Sequence, residues 1–197
     1  MRYNYIMDDF VLFFISIIII ILFIKKIFMN NDLIQIKSEK DGITYIVRDL
    51  PNVNEAINKL STLNQNIKLL IDNLDDTKES VIRLKKNYNP RSLTENSKHS
   101  KHTSYSLNKG EKISLCLREK NNEMVFEDDN TIMFVIIHEL AHIMTTSIGH
   151  TKEFWDNMKY LLEEANKLGL YKIIDYSNNN IEYCGMYIKS TPYDFKK

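Results

Sequence analysis

The stretch Thr131-Ile-Met-Phe-Val-Ile-Ile-His-Glu-Leu-Ala-His-Ile-Met-Thr-Thr-Ser-Ile-Gly-His-Thr-Lys-Glu-Phe-Trp155 decides the fold. It contains His138-Glu139-Leu140-Ala141-His142, an HExxH pattern, and His150 follows eight residues after His142. An α-helix turns about 100° per residue, so His138 and His142 share one face, one turn apart. Their imidazoles can reach one metal ion, with the Glu139 carboxylate aimed at a water beside it. Zinc suits such a pair: it takes neutral imidazole nitrogens at about 2.0–2.1 Å and keeps an open position when catalytic. Ile132 to Ile137 are apolar on every side, as in a buried helix. Asp128, Asp129, Asn130 and Thr131 offer N-caps for it. Gly149 supplies a residue able to take positive φ where the helix must end, so the chain can turn His150 back toward the helix. The competing reading, two ordinary helix histidines, leaves Glu139, the glycine turn and the third histidine without a role.

His138-Glu139-Leu140-Ala141-His142, then Gly149-His150, then Phe154-Trp155 together resemble the WLM and SprT-like zinc metallopeptidases. The match is strong over residues 131–155 and weaker over 104–131. The resemblance implies a zincin-like α+β fold, with a small mixed sheet packed on the HExxH helix. It implies Zn2+ held by His138, His142 and His150, and Glu139 as the base that activates a zinc-bound water to hydrolyse peptide bonds. The substrate is then a protein or peptide that adds as a strand to a sheet edge, for which residues 112–118 are the candidate. The chain is not a metzincin: that pattern needs a glycine and a histidine where Thr145 and Ile148 stand. Carboxylates compete with His150 for the third ligand position: Glu153, Glu163 and Glu164.

The 197 residues suffice for one domain and an accessory segment. Net formal charge is zero, which argues against direct nucleic-acid binding. The two cysteines, Cys116 and Cys184, are too few for a disulfide scaffold and lack CxxC spacing, so they read as buried small hydrophobes.

Phe10 to Ile24 carry no charge. As a helix this run is about 22 Å long, short of the roughly 30 Å hydrocarbon core. Ile27, Phe28 and Met29 extend it if Lys25 and Lys26 snorkel. No small-residue cleavage site follows, so residues 1–30 read as an uncleaved single-pass transmembrane anchor inserted through residues 10–29, not as a signal peptide. Lys25, Lys26, Lys37 and Lys40 outnumber Arg2 on the other flank, which places the catalytic domain in the cytosol.

Residues 31–103 form a linker, a hairpin and a helical region. Ile34 and Ile36, the Asp41-Gly42 turn, then Ile43, Tyr45 and Val47 read as a hairpin. Ala56, Leu60, Leu63, Ile67, Leu70 and Leu74 make an amphipathic stripe, continued by Val81 and Leu84. It packs either on the core or, through helix 53–74, in an oligomer. Asn89-Pro90 ends the helix, and residues 91–103, with His99 and His102, read as a solvated loop.

Residues 104–197 form the zinc metallopeptidase core. Tyr105 and Leu107, a turn, then Ile113, Leu115 and Leu117 alternate as strands. Thr151 caps a second helix with Phe154, Trp155, Met158, Leu161, Leu162 and Ala165 on its apolar face, ended by Gly169. Tyr171, Ile173 and Ile174 suggest a short strand and Ile181 to Ile188 another. Tyr183 or Tyr187 could stabilise an oxyanion, though core packing is the simpler role for both. The leading function is a membrane-anchored zinc metallopeptidase. The alternative is a catalytically weak zinc-binding protein, or a structural membrane protein recruiting partners through residues 53–87.

Overall fold

The computed structural model describes residues 11–22, 32–107, 110–176, 178–179 and 181–193. The chain divides into two units, residues 1–33 and 34–197. The first contains helix α1 (residues 11–22), whose apolar side chains, Val11, Leu12, Phe13 and Phe14 among them, are exposed. Its twelve described residues span about 18 Å. The remainder of the expected membrane segment, residue 10 and residues 23–29, lies outside the described residues. No helix among the described residues is long and apolar enough to cross a membrane.

The second unit is a mixed α+β structure. Strand β1 (Leu33–Lys37) leads through a turn into β2 (Thr44–Arg48). Gly42 closes that turn at φ 72°, a conformation an L side chain resists, and the Ser38 N–H donates to the Ile43 carbonyl at 2.8 Å. Helices α2 (Val53–Asp72) and α3 (Glu79–Asn87) follow. Then come β3 (Leu93–Glu95), β4 (Ser104–Leu107) and β5 (Lys112–Leu115). Helices α4 (Asp129–Met144) and α5 (Lys152–Lys167) precede a two-stranded ribbon, β6 (Glu182–Tyr183) and β7 (Met186–Tyr187). The main sheet runs β1-β2-β3-β5-β4. Strand β3 lies parallel to both β2 and β5, and β4 pairs antiparallel with β5.

The apolar stripe of α2 is spent inside its own domain: Ala56, Leu60, Ile67 and Leu70 are fully buried. Packing on the core thus accounts for this stripe. Helix α4 is buried on nearly every side, with Ile132, Ile136, Ile137, Leu140 and Ile143 at zero exposure. It packs against α5, α3, β4 and β5. Burial of side chains of this size stabilises by about 1.5–3 kcal/mol each.

Several expectations are corrected. Residues 112–118 are not a sheet edge: β5 is interior, between β3 and β4, and β4 is the outer strand. Residues 91–103 are not all solvated loop, because Leu93, Thr94 and Glu95 form the buried central strand. Residues 171–174 adopt no strand, although Tyr171 is buried. Residues 181–188 are a hairpin instead of one strand, because Cys184 (φ 51°) and Gly185 (φ 79°) reverse the chain. Cys116 and Cys184 are not free thiols but a disulfide across 68 residues. On a chain-entropy argument, closing a loop of that length stabilises by about 4 kcal/mol.

A buried carboxylate could sit in β3 only with compensation. Glu95 lies 3.2 Å from the Arg118 Nε, both side chains 1% exposed, and its other oxygen accepts the Arg48 N–H at 2.8 Å. The Arg118 guanidinium stacks over Phe126 at 4.7 Å. Removing one member of such a pair strands a buried charge. Glu95→Ala should therefore cost about 3–5 kcal/mol in urea unfolding, while Glu95→Leu combined with Arg118→Met should restore most of that stability.

Candidate metal centre

Helix α4 begins at Asp128, whose side chain accepts the Thr131 N–H at 2.8 Å, and its cap fixes the register of the helix. His138 and His142 then project from one face with ring centroids 4.9 Å apart. The chain leaves the helix at Thr145, crosses an exposed corner, and turns at Gly149 (φ 81°). His150 returns to the pair: its Nε2 lies 3.1 Å from the His138 Nε2. One ligand atom from each of the three histidines falls within 4.8 Å of the others. A tetrahedral ion with bonds of about 2.0–2.1 Å holds its donor nitrogens roughly 3.4 Å apart. The spacing and the all-imidazole donor set therefore fit zinc. Burial, reinforced by the neighbouring His142 and His150, pushes His138 down to about 3, which keeps that imidazole neutral as a ligand must be.

Phe154 of α5 underlies the triad. It is fully buried, and its ring centroid lies 4.9, 4.4 and 4.6 Å from those of His138, His142 and His150. The resemblance brought Phe154 and Trp155 into view as core residues, and Phe154 is one. It is also the common floor for all three imidazoles. Trp155 is only partly buried, 5.6 Å from the His150 ring.

Glu139, the residue after His138 on α4, is buried in the domain. It is 7% exposed, and burial pushes its carboxyl up to about 7 against one opposing contact, the Ser106 backbone N–H of β4. A carboxyl poised there can exchange a proton near neutrality. Beside His138 and Glu139 opens a cleft of about 290 Å3, walled by Thr103 and Ser104, by Phe134 and Val135 of α4, and by residues 186–190. A larger cavity, about 560 Å3, lies near the opposite end of α4, around Asp128 and Met133. Of the two tyrosines weighed for an oxyanion, Tyr183 is core: its hydroxyl donates to the Cys116 carbonyl at 2.9 Å and pairs with the Ser104 Oγ at 2.8 Å. Tyr187 is not core; it is 55% exposed and lines the cleft.

The corner carrying His150 is braced by groups that no motif announces. Glu153 accepts hydrogen bonds from the Thr146 N–H at 2.9 Å and the Ser147 Oγ at 2.9 Å. It is thus engaged with the loop and stands outside the cluster of histidines. The Arg83 side chain of α3 donates to the Met144 carbonyl at the end of α4. Asn157 donates to the Thr145 Oγ1 at 3.0 Å. His99 and His102 lie on the exposed 97–103 loop, apart from the cluster. The Thr146 N–H, with the Ser147 contacts, holds the Glu153 carboxyl down at about 2, below its ordinary 4.5. A depressed carboxyl supports the fold above the unfolded value and loses that support as pH falls toward the folded one. Glu153→Gln should therefore flatten part of the fall in stability between about pH 4.5 and pH 2, read by urea unfolding across that range.

The sequence pattern of the WLM domain family matches residues 43–185. An uncharacterized protein of Acanthamoeba polyphaga mimivirus is 33% identical over 181 residues, covering 88% of this chain and 91% of that protein. An uncharacterized protein of Invertebrate iridescent virus 6 is 39% identical over 69 residues, 34% of this chain and 38% of its own length. Among solved structures, a Wss1 mutant from Saccharomyces cerevisiae shares the fold with TM-score 0.50 and 22% identity, over 69% of this chain and 100% of that one. The matched span runs from the turn of the first hairpin to the turn of the last, so the likeness is that of a whole domain and not of a five-residue motif, and the chain belongs to the WLM domain family.

Proposed function

We propose that the chain is a zinc-dependent metallopeptidase in which His138, His142 and His150 hold the metal and Glu139 is the general base. The observation that carries this reading is the convergence of three imidazole nitrogens within 4.8 Å, next to a buried carboxyl and an open cleft. Zinc bound there would polarise the scissile carbonyl and lower the pKa of a coordinated water to about 7. Glu139 takes the proton released as water attacks, then returns it to the amine as the C–N bond breaks. Its apolar surroundings raise its proton affinity enough to hold that proton through the collapse. Phe154 and the braced corner keep the imidazoles oriented and exclude water from behind them. Strand β4 ends the sheet, so its outer edge suits an extended polypeptide added by main-chain hydrogen bonds.

We also propose that the N-terminal segment anchors the protein in a membrane as a single pass. The exposed apolar side chains of α1 and the uncharged run around them support it. The lysines after the run favour a cytosolic domain. The Cys116–Cys184 disulfide favours a second reading, an oxidising compartment.

Residues 32–197 should carry about one zinc per chain, and His138→Ala combined with His142→Ala should abolish binding, by metal analysis. His150→Ala should weaken zinc affinity by at least about 10–100-fold. Glu139→Gln should retain the metal and lose about 10^2–10^4-fold in casein hydrolysis. Full zinc content in the double histidine variant would end the reading. For the anchor, the full chain should remain in the pellet after carbonate washing. Protease protection of residues 34–197 in sealed membranes decides between the two compartments.

A further inference from the structure

The cleft beside His138 and Glu139 has one wall that the metal chemistry does not use. Residues 186 to 190 all line it. Side chains of an extended segment alternate in direction, so five consecutive lining residues mean that the main chain itself runs along the cleft. Met186 and Tyr187 present 59% and 55% of their surface, and Phe134 and Val135 face the same space from α4. Exposed large apolar groups gathered at a site of this kind mark a surface that binds something apolar. Tyr187 is the one exposed tyrosine among the described residues.

This wall is fixed at its base. Tyr183 hydrogen-bonds to the Cys116 carbonyl and to Ser104, Cys184 is bonded to Cys116, and the Cys184 N–H donates to Glu127 at 2.7 Å. Four attachments thus tie the β6 end of the ribbon to Cys116, which follows β5, to the start of β4 and to Glu127. Among the described residues β7 pairs only with β6.

We propose that residues 186–188, facing Phe134 and Val135, form the specificity subsite that takes a large apolar side chain of the substrate residue next to the scissile bond, and that the Cys116–Cys184 disulfide holds this wall at its working distance from β4. The substrate strand then lies between the edge of β4 and the wall of β7. The inference rests on the peptidase reading. Burying a side chain such as Leu gives about 1.5–3 kcal/mol, or roughly 10- to 150-fold in kcat/KM over a small residue at the same position.

The test is cleavage of a random peptide library by the zinc-loaded full chain, with cut sites read by mass spectrometry. Leu, Ile, Met or Phe should dominate at one position flanking the cut. Met186→Glu combined with Ile188→Glu should lower kcat/KM for a Leu-containing peptide at least about 10-fold through KM, with zinc content unchanged. In a second arm the Glu139→Gln protein, which binds without cutting, should bind that Leu peptide more tightly than its Gly counterpart in calorimetry. Cys116→Ser combined with Cys184→Ser should erase the difference between the two. A library profile with no apolar preference, or one for acidic residues that Lys189→Met removes, overturns the proposal. Equal Leu and Gly affinities in the Glu139→Gln protein do so as well. An unchanged Leu preference in the double serine variant overturns the role of the disulfide. A wild-type chain that binds zinc and cuts no peptide overturns the peptidase reading instead.

Discussion

The structure depends on the burial of one helix. Helix α4 is apolar around almost its whole circumference, yet it carries two imidazoles of a cluster that could hold a metal and a carboxyl that lines a cleft. A helix of that composition is stable only when other elements cover it. Helices α3 and α5 and strands β4 and β5 do so, leaving His138 and His142 partly exposed and Glu139 buried. The electrostatics follow from the same burial. Desolvation drives His138 downward and Glu139 upward, so both shifts favour the neutral form. One environment thus leaves an imidazole free of its proton beside a carboxyl that exchanges one near neutrality.

The part of the fold governed by local chemistry was legible in the sequence. The Asp128 cap, the Thr151 cap, the positive φ at Gly149 and Gly169, and the buried stripe of α2 all follow from rules acting over a few residues. So did the convergence of His138, His142 and His150, because helix periodicity and one glycine suffice to bring them together. Strand β3 was hidden for the opposite reason. Three residues, one of them Glu, carry no periodic signal, and what licenses Glu95 in the core is Arg118, 23 positions away in sequence and supplied by the fold. Pairing of Cys116 with Cys184 was equally unreadable, since two cysteines 68 residues apart meet only after two helices have packed.

Edge and interior strands also look alike in sequence. Ile113, Leu115 and Leu117 alternate well, which drew attention to residues 112–118, but alternation reports the faces of a strand and not whether its edges are paired. The plainer β4, with Ser104 and Ser106, lies at one border of the sheet, with β1 at the other. Its serines serve the site directly: the Ser106 N–H meets Glu139, and the Ser104 hydroxyl meets Tyr183. The weak pattern is thus the one that contacts the candidate site.

The long span of the Cys116–Cys184 bond has a bearing on how the protein comes to be folded. The loop it closes contains both α4 and α5. Sulfurs so far apart along the chain meet at an appreciable rate only once the intervening helices have docked, because closing the loop earlier carries its full entropic cost. Oxidation of this pair therefore comes late, as a seal on a domain whose histidines are already gathered.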